Sequence, residues 1–216
     1  MNERGQSMPD YGTLKARVQK LAERAWDVPA IEARLHKLGA DGIPKKTLSR
    51  EEILAEKHQI LERVQRRGEE YNFLARNCAR STALAVMEEF GLGNLEIVKA
   101  LSPFPGFGGT GWMCGGVTGA LIALGLYFGS DDLLDYEAVG KTIKAARMFM
   151  PHFEAIVGSV VCPEIQEDVI FGRYMDPAAS QENMEIFAKE KGFEKCSLLP
   201  GIGAGLATEI IIESME

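Results

Sequence analysis

The chain has 216 residues, with 24 Lys and Arg against 31 Asp and Glu, a net charge of −7 and a pI near 5.2. That balance argues against nucleic acid or an anionic membrane surface as the main partner. The length suits one large domain, or a domain with an extension, whose core needs no disulfide staples.

No apolar stretch follows Met1–Gly5, so no secretory signal is expected. The apolar run Gly115–Gly129 is too short and glycine-rich to span a bilayer. A cytoplasmic location follows as the expectation, with no membrane partner and a reducing environment in which structural disulfides do not persist.

Apolar residues recur at helical spacing over 11–25 and 29–39, and Asp41-Gly42-Ile43-Pro44 ends that section. Ser49 and Glu52 read as a capping box, with Leu48 placed to staple onto Ile53. A helix over 49–70 follows, a packing element or a homodimer face, weakened near its end by Gly68. The next helix runs from about Asn77 to Phe90 and stops at Gly91-Leu92-Gly93.

Residues 102–111 combine two prolines and four glycines and read as a loop of special backbone geometry. An apolar helix over about 115–128 follows, and Gly119, Ala120, Ala123 and Gly125 would let neighbouring backbones come close. Asp131 to Met150 reads as a helix ended by Pro151, and Cys162-Pro163 restarts a short acidic one. Residues 181–191 and 203–215 complete the pattern. No strand-like alternation appears, so the expected fold is all-α: a bundle-like domain over 67–216 with an N-terminal helical extension over 1–66.

The chemistry rests on four cysteines: Cys78, Cys114, Cys162 and Cys196. None is part of a Cys-x-x-Cys pair, which excludes a zinc ribbon, a thioredoxin-like motif and a ferredoxin run, and no Cys-x-x-Cys-His is present to attach haem. Each has a neighbour that favours thiolate. Cys78 lies between Arg76 and Arg80, Cys114 opens a helix, Cys162 sits where an N-cap would be, and Cys196 follows Lys195. Buried inert cysteine remains an equally ordinary reading, since free Cys packs as a small hydrophobe.

Other motifs carry less. Gly106, Gly108 and Gly111 fit G-x-G-x-x-G with Asp131 about 20 residues on, but no strand precedes them, so neither NAD nor flavin is expected. His36 and His58 read as solvated and His152 as packed. Glu69, Glu70, Glu88 and Glu89 read as solvated helix faces. Phe104, Phe107, Trp112 and Tyr127 could line an aromatic cavity beneath the glycine loop.

Taken together, Asn77-Cys78-Ala79, Gly106-Phe107-Gly108-Gly109, Cys114-Gly115-Gly116-Val117-Thr118-Gly119, Cys162 and Cys196 resemble the redox-active protein family named C_GCAxxG_C_C. The resemblance covers about residues 67–216. It departs from the family pattern at Arg76, where Gly or Tyr is expected, and at Met113, which makes the Gly-Cys-Ala-x-x-Gly fit loose.

The resemblance implies a membership typical of anaerobic prokaryotes. A related domain occurs in split-Soret cytochrome c. It also implies that Cys78, Cys114, Cys162 and Cys196 bind one [2Fe–2S] cluster or comparable metal centre, with Gly108, Gly109 and Gly115 supplying backbone to the cofactor. The function implied is electron transfer, with a redox protein or a small-molecule acceptor as partner. Three alternatives stand beside it: a metal-free thiol–disulfide oxidoreductase or sensor using Cys78 and Cys114, a small-molecule oxidoreductase or other enzyme with its site under the glycine loop, and an interaction protein with inert cysteines. The catalytic residues are not named by the sequence.

Overall fold

The structure, a computed structural model, describes residues 9–46 and 49–216. It is all-α among those residues, and the one β-type pairing is an isolated antiparallel bridge between Met113 and Val161. The expected Leu48 staple lies outside the described residues.

Two side-chain-capped helices lead in. Asp10 caps α1 (Tyr11–Glu23) and Asp27 caps α2 (Val28–Asp41), each carboxylate accepting an N–H of the first turn. The Ser49/Glu52 capping box opens α3 (Arg50–Ala55). The helix expected over 49–70 breaks at Glu56 and resumes as α4 (Lys57–Ala75), which runs unbroken through residue 66. Then come α5 (Cys78–Phe90), α6 (Leu95–Ala100), the single turn α7 (Gly106–Gly109), α8 (Gly115–Phe128) and α9 (Tyr136–Val157). The chain closes with α10 (Cys162–Ile165), a π-helical turn over Gln166–Phe171, α11 (Gln181–Lys189), α12 (Gly192–Cys196) and α13 (Leu198–Glu213).

Glycines set the core geometry by letting α4, α5, α8 and α13 meet backbone to backbone. A Cβ on Gly119 of α8 would lie 2.3 Å from the Ala79 carbonyl oxygen of α5. One on Gly203 of α13 would lie 2.2 Å from the Gly116 carbonyl oxygen, and one on Gly68 of α4 would lie 2.7 Å from that of Pro200. Gly68 therefore marks a close approach, and its helix continues for another seven residues. Gly125, expected to serve the same way, faces open space. The stretch Gly192–Glu213 is apolar and long enough to cross a membrane by composition, and 78% of its most apolar window is buried within the fold.

Two local expectations are corrected. Pro151 does not end α9, which continues to Val157 and stops at Gly158 in the left-handed region. A proline inside a helix costs about 3 kcal/mol. Here fully buried Phe149 and Phe153, stacked at 5.7 Å, anchor the helix on both sides of it. The start also differs: residues 131–135 are outside the helix, and Asp135 is its N-cap.

The second correction concerns the carboxylates. Glu69, Glu88 and Glu89 are buried, and only Glu70 remains near the surface, paired with Arg66. Glu89 takes Arg67 at 2.6 Å and Arg63 at 2.7 Å, with Lys46 at 3.8 Å. Glu88 accepts from the Tyr71 hydroxyl and from Arg34 Nε at 3.0 Å, and Glu69 takes Arg24 at 2.8 Å. Because Arg24, Arg34 and Lys46 precede α3, these pairs clamp the N-terminal segment onto α4 and α5. Burial of such pairs fixes the arrangement more than it adds stability.

Candidate four-thiol site

The four cysteines come from four elements. Cys78 is the first residue of α5, whose N-cap Asn77 accepts from Arg80 N at 3.1 Å and donates through Nδ2 to Ser102 O at 3.0 Å. That second bond ties the start of α5 to the proline–glycine loop. Cys114 is the N-cap residue of α8, with no side-chain capping bond. The Met113–Val161 bridge then brings the third thiol alongside: Cys114 N donates to Val160 O and Cys162 N to Trp112 O, both at 2.8 Å. Cys162 is the first residue of α10, and Val161 takes the N-cap place the sequence assigned to Cys162. Cys196 ends α12, immediately before the core helix α13.

All four are free thiols, and their charges are mutually felt. Cys114 is buried and senses Cys78, Cys162 and Cys196; Cys196 senses Cys162 and Cys78. Cys78, Cys162 and Cys196 line one cavity of about 420 Å³. Among the described residues no three His, Cys, Asp or Glu side chains form a group that could hold a metal ion as they stand.

The expected lowering of the thiol pKa values is overturned. Burial pushes every one of the four up, Cys78 to about 12. Arg76, two residues before Cys78, lies over the Phe193 ring at 4.6 Å and is not among the groups that move the Cys78 thiol. The compensating groups are shorter and closer. Backbone N–H groups of Gly115, Cys78 and Ala79 favour the Cys78 thiolate, and that of Gly116 favours Cys114. Gln166 Nε2 reaches Cys162 Sγ at 3.7 Å, and the Lys195 charge favours the Cys196 thiolate.

The three glycines named from the sequence lie in two places. Gly108 and Gly109 line the cavity wall with φ of 82° and 71°, in the left-handed region that favours glycine. Gly115 lies against Cys78, and a Cβ there would sit 2.1 Å from its sulfur. The expected aromatic lining is absent. Trp112 and Phe107 are exposed, and Tyr127 lines a separate depression with Arg50 and Met215. The cavity walls are instead Phe187, Phe193, Met175 and Tyr174, which sequence reasoning missed because they come from the segment after α10. His36 and His58 are exposed as expected, while His152 is exposed rather than packed. The Gly106–Gly111 segment joins two helices, so the strand that a dinucleotide fingerprint requires is not among the described elements.

The fold is thus a helical protein whose four cysteines come from four separate elements, three of them lining one glycine-walled cavity. The chain is a member of the C_GCAxxG_C_C family: the model described as "Putative redox-active protein (C_GCAxxG_C_C)" matches residues 76–210. That span contains all four cysteines. No curated protein and no solved structure matches the chain.

Proposed function

We propose that Cys78, Cys114, Cys162 and Cys196 together hold one iron–sulfur centre of the two-iron type, and that the protein transfers electrons. The observation that carries this reading is the gathering of Cys78, Cys162 and Cys196 on one cavity, with buried Cys114 within reach of their charges and each thiol beside a group that favours its anion. An all-thiol donor set suits soft metals and clusters.

When bound, such a centre supplies one-electron oxidation and reduction. The chain's own residues do the rest. The N–H groups of Gly115, Cys78, Ala79 and Gly116 donate to sulfur and so favour the more negative, reduced form. Burial of Cys114 excludes water from one side of the site. The partly exposed thiols face the cavity, where a redox partner or a small-molecule acceptor would meet them. The metal-free dithiol reading is weaker, because thiols raised well above neutrality are protonated and poor nucleophiles at pH 7.

The test is a visible spectrum of protein purified without oxygen, with iron, zinc and acid-labile sulfide assayed on the same sample. Charge-transfer bands with about two irons and two sulfides per chain are expected. Replacing any of the four cysteines by Ser should remove the bands. Zinc in place of iron, or no metal at all, would overturn the proposal.

A further inference from the structure

The cavity that Cys78, Cys162 and Cys196 line has a volume of about 420 Å³ and is open to solvent. Small-molecule sites begin at roughly 300 Å³ and are mostly apolar with a few placed polar groups. This cavity has that character. Phe187, Phe193, Met175 and prolines 103, 105 and 177 form its walls.

Its polar equipment is sparse and directional. Arg76 is the one cationic side chain in the lining. Its guanidinium is braced on the Phe193 ring and makes no ion pair among the described residues. Arg76 is exposed, and Arg17, Arg80 and Arg147 likewise form no ion pair among the described residues, so what sets Arg76 apart is its place in the cavity lining. Asp176, the one carboxylate in the lining, accepts from Ala178 N at 2.8 Å and forms no pair with Arg76.

The backbone singles out the same residue. Arg76 has φ of 52°, a left-handed conformation that a non-glycine side chain rarely adopts, at the junction between α4 and the first thiol. The Tyr174 hydroxyl, also in the lining, fits where Gly111 has no side chain; a Cβ there would come within 2.9 Å of it. A cation stacked on an aromatic ring, a hydroxyl and apolar walls in one lining describe a site for a small organic acid.

We propose that this cavity binds a small aromatic or unsaturated carboxylate, with its carboxylate on Arg76 and its apolar body between Phe193 and Phe187, over the thiol floor. The inference rests on the redox reading for the identity of that floor, and makes the ligand the small-molecule partner of the centre. Binding itself needs only the cavity and Arg76.

The test uses the full chain purified without oxygen and 19F NMR of 4-fluorobenzoate, with 4-fluorobenzamide as the neutral isostere. Saturable broadening of fluorobenzoate is expected below about 10 mM, with the amide about tenfold weaker or more. Arg76→Gln should weaken fluorobenzoate by about tenfold without changing the amide, while Arg66→Gln, on the same helix but paired with Glu70, should change neither. Equal binding of acid and amide, no saturation, or an Arg76→Gln protein that binds as before would each overturn the proposal. Iron and sulfide assayed on the same samples separate the two readings. Colourless protein that binds fluorobenzoate through Arg76 keeps the pocket and refutes the cluster; coloured protein that ignores it does the reverse.

Discussion

Gly115→Ala, set beside Gly125→Ala, isolates what the thiol site demands of its surroundings, because both lie in α8 and add the same methyl group. At Gly125 nothing lies within 4 Å of the new Cβ. The substitution there should stabilise by about 0.5–1 kcal/mol, since Ala loses less conformational freedom than Gly in a helix. At Gly115 the new Cβ falls 2.1 Å from Cys78 Sγ, 2.7 Å from Ala79 N and 3.0 Å from Cys78 Cβ. Rotating the Cys78 side chain relieves only the sulfur contact; the Ala79 nitrogen is backbone, held by α5. The start of α5 must therefore separate from α8, at an overpacking cost of about 1–3 kcal/mol. In a chain of this size 1 kcal/mol moves Tm by about 2–4 °C. Thermal unfolding followed by circular dichroism should show Gly125→Ala melting about 1–4 °C above wild type and Gly115→Ala about 2–12 °C below it. The visible spectrum of the anaerobic protein should change only for Gly115→Ala. A Gly115→Ala protein that melts with wild type and keeps its spectrum would refute the close packing of α8 on Cys78.

Other outcomes test the clamps around the site. For Glu89, burial raises the carboxyl, but the Arg63 hydrogen bonds and the Lys46 and Arg67 charges outweigh it, leaving the folded value below the ordinary one. The stabilisation is thus present above the unfolded carboxylate value near 4.3 and is lost as pH falls below it. Glu89→Gln should cost about 3–5 kcal/mol at neutral pH by removing the carboxylate that Arg63 and Arg67 share and leaving buried Arg67 only Glu88, at 3.7 Å. It should also flatten the acid limb of a urea-midpoint-against-pH curve, and an unchanged limb would count against the pair. A fragment of residues 67–216 cuts α4 and removes the Arg24, Arg34 and Arg63 partners of the buried carboxylates. It should show no cooperative melt, and a transition matching the full chain would show the N-terminal segment to be dispensable.

Much of the helical order was legible because it is local. Caps at Ser49 and Asn77, the stop at Gly91 and the loop of prolines and glycines follow from residue types within a few positions of one another. The thiol environment was not legible for the opposite reason. Arg76 lies two residues from Cys78 in sequence, yet its charge goes to Phe193, more than a hundred residues on. The donors that matter are backbone N–H groups, which every residue has and no motif reveals. Glu88 and Glu89 read as surface because paired charges on a helix usually are; what buries them is the preceding segment and α4, supplying Arg34, Lys46, Arg63 and Arg67. Pro151 obeys the local rule for a helix stop, and the packing of Phe149 and Phe153 overrides it.

The raised thiol values bear on mechanism more than any single motif. Four thiolates in one buried place repel one another, and burial opposes each charge separately. Left to itself the site is therefore four neutral thiols. Yet the N–H groups at Cys78 and Cys114, the Gln166 amide at Cys162 and the Lys195 charge at Cys196 all favour the anion. Under the proposed reading a positively charged centre would displace the protons, and these donors would stabilise the sulfur charge that remains. The same proposal bears on the cavity above: a floor made negative by such a centre would leave Arg76, stacked on Phe193, as the one cation of the lining to meet an anionic ligand.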